Sequence, residues 1–342
     1  MRYGLDNHEN SSPEGSSFPV QSSVLDEEAL LSRIVTEYRI PAPVSCRFLT
    51  RGDADIYRVV TATSSFYLKV YRPPQSLKQT EAEAAFVTAL SASDIPVVKP
   101  VSRRDGLFAC QVPAPEGSRP MLLFEEAPPP LPAELDEALL EQIGEKVALV
   151  HAAADGFGDD FGVPTMDSGE FIKERVCYTS QYLAEQDRAY LREASEKLDL
   201  FLKQLPDNEP EFGLCHADLV MSNLRQTAEG TVTLFDFGNA LKTWRIFELA
   251  IVYWNLGHRD LDSRDRLWAA LLHGYESVRP LPEALPERLT AMLILREIGF
   301  LGGNSATLPL RLGTEPIESG LIENGMKRLR KLVYKSDILN SG

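Results

Sequence analysis

The sequence predicts an α+β fold of two unequal lobes: a small antiparallel β-sheet lobe with one key helix, then a larger, mostly helical lobe. Three observations carry this. At 342 residues the chain exceeds what a single hydrophobic core usually supports. Short strand-like runs fill the stretch from Ser45 to Phe124, whereas helical periodicity dominates beyond Pro132. Between them, Pro128-Pro-Pro130 interrupts both patterns. The expected divisions are a disordered tail over 1–23, a first lobe over 24–124, a hinge over 125–130 and a helical lobe over 131–342.

The elements follow in order. Leu25, Leu30, Leu31, Ile34 and Val35 give Leu25 to Tyr38 an amphipathic face, and Pro41 and Pro43 end that helix. Cys46 to Phe48, Ile56 to Val60 and Phe66 to Val70 read as strands, the first two separated by the polar turn Thr50-Arg-Gly52-Asp-Ala-Asp55. Leu77 to Ala92 is rich in alanine and glutamate and is the key helix. Phe86 and Leu90 mark its apolar side. Glu83, three residues before Phe86, shares that side, while Glu81 is expected in solvent. An inward carboxylate needs a cationic partner, because a lone buried charge is costly. Lys69, set among apolar neighbours in its strand, is the candidate. Leu107 to Val112 and Met121 to Phe124 complete the sheet. Helices are then expected over Leu135 to Ala154, Phe171 to Leu205 (as one or two), Phe247 to Leu256, Arg264 to Val278, Glu287 to Leu301 and Ile317 to Tyr334.

Composition narrows the possible roles. A hydrophobic content of 44% with 25% charged residues describes an ordinary soluble protein. No apolar run approaches the ~20 residues of a membrane helix, and no secretory leader is recognisable. Membrane association is therefore not expected, and a cytoplasmic location is. Fifty acidic against 35 basic residues leave a charge of −15, which disfavours nucleic acid and would suit a cationic small molecule such as an amino sugar or amino alcohol. Cys46, Cys110, Cys177 and Cys215 form no CxxC pair and read as isolated buried thiols; no Cys/His cluster suggests zinc. Either a monomer or a homodimer is compatible with these features.

The densest chemical signal is His216-Ala-Asp218-Leu-Val-Met-Ser-Asn223, followed thirteen residues later by Asp236-Phe-Gly238. Leu224 to Ala228 and Thr231 to Phe235 flank Glu229-Gly230, the signature of a two-residue hairpin. Pairing about that turn sets Leu224 opposite Phe235, so Asn223 and Asp236 fall side by side. One amide and one carboxylate suit Mg²⁺, which takes oxygen ligands and keeps several waters. Asp218 is then free to orient or deprotonate a substrate hydroxyl. Those are the parts of a phosphoryl-transfer site.

H-x-D-x-x-x-x-N followed by D-F-G resembles the catalytic loop and metal motif of the protein-kinase-like superfamily. His216-Ala217-Asp218 and the trailing Phe247-Glu248-Leu249-Ala250 resemble its aminoglycoside phosphotransferase and choline kinase branch, over roughly Leu25 to Leu332. The resemblance implies the two-lobed kinase-like fold, the cofactors ATP and Mg²⁺, and a set of roles. Asp236 and Asn223 would hold the metal, and Asp218 would act on the acceptor hydroxyl. Lys69 would grip phosphates, steadied by Glu83. Gly52 would lie in the phosphate-covering loop, and the backbone of Glu125 to Ala127 would meet adenine. His216 has two readings, a packing residue beneath Asp236, which its superfamily counterpart favours, or a general base. Glu248 either anchors the catalytic loop or is a solvated acid at a helix start, and His151 is read as structural. The loop departs from the family pattern: Asp53 and Asp55 would repel a triphosphate unless turned outward or screened by metal.

An acceptor pocket is expected among the helices after Asp236, with Trp244, Arg245, Trp254, Arg296 and Asn304 as lining candidates. Arg296, amid apolar neighbours, needs a partner. The expected activity is transfer of the ATP γ-phosphate to a hydroxyl of a small molecule: an aminoglycoside, an amino alcohol or a hydroxy amino acid. A serine/threonine protein kinase of the stress-response type and a nucleotide-binding pseudokinase scaffold are the alternatives. Glu248 follows Asp236 within twelve residues, too close for a long activation segment, which favours small acceptors.

Overall fold

A computed structural model describes residues 20–336 except 21, 53, 159, 209, 282–283 and 308–314. The tail expected over 1–23 thus falls almost wholly outside the described residues. Ser23, at its end, is held in place: its hydroxyl meets the Glu116 carboxylate at 2.8 Å.

The first lobe is one antiparallel sheet in the order β1-β2-β3-β5-β4. Its strands are β1 (Pro43–Arg51), β2 (Ala54–Thr61), β3 (Ser65–Tyr71), β4 (Cys110–Ala114) and β5 (Gly117–Glu125). Helix α1 (Glu27–Glu37), capped by Asp26, packs on β1. Helix α2 (Leu77–Ala92) opens with a capping box between Ser76 and Gln79, which satisfies its first amides reciprocally. Glu83, Phe86 and Leu90 all face inward from α2. Glu81 does not stand in solvent as expected, but accepts the Ala109 amide at 2.7 Å and so fixes the approach to β4.

The second lobe holds α3 (Glu137–Asp155), α4 (Ser168–Ser180), α5 (Glu185–Leu202), α6 (Arg245–Asn255), α7 (Leu261–Glu276), α8 (Leu285–Thr307) and α9 (Glu315–Tyr334). The periodic stretch after Phe171 is therefore two helices, α4 and α5. Two short strand pairs complete the lobe. β6 (Phe212–Cys215) pairs with β9 (Leu241–Trp244), and β7 (Leu224–Gln226) with β8 (Val232–Leu234). The β9 strand had no sequence signal, being four residues long. A shared core joins the lobes: Phe86 and Leu90 of α2 pack with Ile143 and Val147 of α3, Leu234 of β8, and Phe237. None of the described helices is long and apolar enough to cross a membrane.

Candidate active site

Alternation along β3 sends Leu68 and Val70 into the sheet core and turns Lys69 and Tyr71 the other way, toward α2. Glu83 waits there. Lys69 Nζ lies 3.1 Å from Glu83 Oε1 and 2.8 Å from Asp236 Oδ1. The Tyr71 hydroxyl bonds the other Glu83 oxygen, a partner that its place two residues beyond Lys69 could have revealed. Burial by itself would lower the Lys69 ammonium, but Asp236 and Glu83 outweigh it and hold it well above its ordinary value. Asp236 shows the converse. Burial would raise its carboxyl, yet the lysine beside it keeps it below the usual range. Glu83 is displaced upward, because its burial outweighs Lys69. At neutral pH Lys69 is therefore charged and Asp236 is anionic.

The β7–β8 hairpin differs from expectation by one position. Leu224 faces Leu234, not Phe235, and Thr227 pairs with Thr231 across a three-residue loop. Gly230 takes a φ of 88°, supplying the left-handed residue that closes such a loop. Asn223 consequently stands opposite Phe235, whose amide donates to its carbonyl at 3.2 Å. Asp236 is turned toward Lys69 by its own left-handed backbone, with φ at 67°. The Asn223 side-chain amide donates to the Asp218 carbonyl at 2.9 Å, which leaves its oxygen as an acceptor.

Ala217, at φ 62°, provides a second left-handed turn, between His216 and Asp218. His216 lies behind it as a packing and hydrogen-bonding residue. Its Nε2 is 2.9 Å from the Phe235 carbonyl, and its ring rests 4.4 Å from that of Phe237. The His216 amide donates to Glu248 Oε2 at 2.9 Å, so Glu248 does tie down this loop. His151 lies 3.4 Å from the same oxygen and bonds the Tyr275 hydroxyl; burial draws its pKa down to about 4, so it is neutral at pH 7. Cys215 completes a buried trio with His151 and Glu248, whose donor atoms lie within 4.8 Å of one another. Its thiol contacts the Gly213 carbonyl at 3.4 Å, and burial raises it well above the usual thiol range. Cys46 and Cys110 are buried too, but Cys177 on α4 is exposed, against expectation, because that face of the helix meets solvent.

Asp218 opens into a cleft of about 730 Å³ that runs from Arg51 and Gly52 to Asn304 and Thr307 near the end of α8. Asp218 Oδ1 pairs with Arg296 at 3.2 Å, and Oδ2 receives the Asn239 side-chain amide at 3.4 Å. Asn239 escaped sequence reading although it directly follows the Asp-Phe-Gly run. Arg296 and Asn304 do line the cleft; three other candidates do not. Trp244 is buried against Phe212, with Nε1 bonded to the Pro206 carbonyl at 2.9 Å. Arg245 is buried beneath β6, paired with Asp155 and donating to the Leu214 carbonyl. Trp254 lies behind Arg296, its ring 5.3 Å from the guanidinium. Trp244 and Arg245 turn into the core at the junction of β9 and α6, and Trp254 packs half-buried between α6 and α8, where large aromatic surface is best covered. Phe171 and Arg175 of α4 line the cleft and were missed, since only the meeting of α4 with α8 brings them there.

The acidic loop resolves differently from the sequence expectation. Asp53 lies outside the described residues. Asp55 is fully buried between Arg51, at 2.8 Å, and Arg119, at 2.8 Å, so its charge is neutralised inside the sheet. At the hinge, the Glu125 amide donates to the Lys99 carbonyl at 2.9 Å.

Comparison with known proteins agrees with this fold. The model of the phosphotransferase enzyme family matches residues 46–281. An uncharacterized protein of Deinococcus radiodurans is 30% identical over 92% of each chain. An amicoumacin kinase, solved in complex with AMP-PNP, Ca²⁺ and Ami, superposes with a TM-score of 0.78 at 20% identity, covering 93% of this chain and 98% of its own. A microcompartment-associated aminopropanol kinase does so with a TM-score of 0.75 at 22% identity, over 90% and 98%.

Proposed function

Because the chain belongs to the phosphotransferase enzyme family, we propose that it is a kinase moving the γ-phosphate of ATP to the hydroxyl of a small molecule. One observation carries this reading: the Asp218 carboxylate faces a cleft continuous from the Gly52 loop to the floor of α8. Walls supplied by α4 and α8 suit a small acceptor rather than a folded protein.

The donor set fits a hard divalent cation. Asp236 has one carboxylate oxygen beyond the one facing Lys69, and Asn223 has its amide oxygen, both of the type Mg²⁺ prefers. When bound, the cation supplies neutralisation of phosphate charge. The residues do the rest. Lys69, fully charged, holds phosphate oxygens while Glu83 keeps it aimed. Gly52 covers the phosphates without crowding them, having open space around its Cα. The Glu125 carbonyl and the Ala127 amide supply an acceptor and a donor for the adenine edge. Asp218 orients the acceptor hydroxyl and takes its proton, with Arg296 and Asn239 setting the carboxylate's direction. Catalysis here is mainly positioning and charge neutralisation. The nucleotide-binding lobe would be 24–124, joined by the hinge 125–130 to a catalytic and acceptor lobe over 131–342. The cytoplasm supplies ATP and keeps the four thiols reduced.

The test follows labelled phosphate from ATP into low-mass or high-mass products, across aminoglycosides, amino alcohols, hydroxy amino acids, sugars and a generic protein. Label in a low-mass ester supports the reading. Label only in protein, or in no acceptor at all, overturns it.

A further inference from the structure

The acidic character of the whole chain is reversed inside the cleft. Its charged lining is Arg51, Arg72, Arg175 and Arg296 against Glu83 and Asp218. Glu83 is already committed to Lys69 and Tyr71, and Arg51 to Asp55. At the acceptor end, α4 and α8 contribute two guanidiniums, Arg175 and Arg296, and Asp218 the one carboxylate among the lining residues there.

Arg296 is wedged between Asp218 and the face of Trp254, and its Nε is buried with no hydrogen-bond partner among the described residues. Arg175 stacks its guanidinium 4.8 Å from the centroid of the Phe171 ring, another wall of the cleft. The acid nearest to it in sequence, Glu174, contacts Nη1 at 2.8 Å but is itself partly exposed, so water screens that pair. Gly303 leaves open room beside them. An acceptor arriving with only an ammonium group would meet like charge here. One arriving with an anion meets donors whose fork geometry matches it.

Resting on the kinase reading above, we propose that the acceptor is an alcohol carrying its own anionic group, a carboxylate or a phosphate. That group lies against Arg175 and Arg296 while the hydroxyl reaches Asp218. The arginines thus select hydroxy acids or phosphorylated alcohols over the amino alcohols and amino sugars that the global charge would favour.

The experiment uses the full chain with MgATP and matched acceptors differing in the anion alone: homoserine against 3-amino-1-propanol, threonine against 1-amino-2-propanol, and glycerol 3-phosphate against glycerol. MgATP binding is measured separately by equilibrium dialysis. In at least one pair the anionic member should show kcat/KM higher by about tenfold or more, and which pair responds separates carboxylate from phosphate. Arg175→Gln should collapse that preference by raising KM for the anionic member, and Arg175→Lys should restore part of it. Equal or better turnover of the neutral or cationic members overturns the proposal while leaving the kinase reading intact. Intact MgATP binding with no transfer to any anionic alcohol also overturns it. Loss of MgATP binding itself would instead overturn the kinase reading, and the proposal with it.

Discussion

Arg119 and Asp55 meet at 2.8 Å with both side chains fully buried, in the sheet directly behind the Gly52 loop. Arg119 also donates to the carbonyls of Val70 and Tyr71, the two residues that follow Lys69, and to that of Ser23. One guanidinium therefore neutralises the loop's acid, fixes the strand that carries Lys69 and fastens the segment preceding α1.

Removing Arg119 should consequently be expensive. Arg119→Met leaves Asp55 buried with Arg51 alone and should lower unfolding free energy by about 3–5 kcal/mol in urea titrations. Adding Asp55→Leu removes the stranded charge and should recover at least about 1 kcal/mol of that loss. Additive losses in the double variant would show that the two side chains do not act as a pair.

In the proposed reaction Asp218 touches the acceptor, and Lys69, Asn223 and Asp236 serve the nucleotide and its metal. Asp218→Asn keeps the shape and the neighbours Arg296 and Asn239 but cannot accept a proton. Its kcat should fall by about 10²–10⁴ with MgATP affinity little changed. Turnover equal to wild type would remove Asp218 from the chemistry.

His151 makes stability depend on pH in a stated direction. Buried and neutral, it has a pKa of about 4 in the fold against an ordinary value of 6.5. The unfolded chain thus binds a proton that the folded one refuses, and stability falls as pH drops through 6.5 toward 4. Its share of that loss is about 3 kcal/mol. Urea midpoints taken from pH 7 to pH 5 should decline more steeply in wild type than in His151→Gln. Parallel declines would assign the acid sensitivity elsewhere.

Neighbouring glycines of α8 should respond oppositely to the same substitution. A Cβ at Gly302 would come within 2.4 Å of Arg175 Cβ, whereas one at Gly303 meets nothing within 4 Å. Gly302→Ala should cost about 1–3 kcal/mol by forcing α4 from α8. Gly303→Ala should stabilise the helix by about 0.5–1 kcal/mol. Gly303→Phe should fill the cleft and raise the acceptor KM without weakening MgATP binding. Equal stability changes for the two alanine variants would contradict the close helix approach.

Much of this site is written locally. The inward face of α2, the alternation of β3 and the spacing from His216 to Asp236 are short-range patterns, and each follows from a backbone period. Reading failed where a single turn changed parity. Gly230 closes a three-residue loop instead of a two-residue one, shifting the pairing so that the left-handed backbone of Asp236, not the strand register, aims its carboxylate. Trp244, Arg245 and Trp254 were not legible either, because an aromatic or arginine at either end of a helix is compatible with core or cleft.

By itself, then, the sequence determined the two-lobed plan, the buried lysine–glutamate pair and the set of polar groups proposed to handle phosphate, since these depend on residue type and local repeat. Only the tertiary structure decided what those groups face. The approach of α4 to α8 carries Arg175 and Arg296 into one cleft, and Arg119 draws Asp55 out of it. Such contacts join positions far apart in the chain, and no local period encodes their distance.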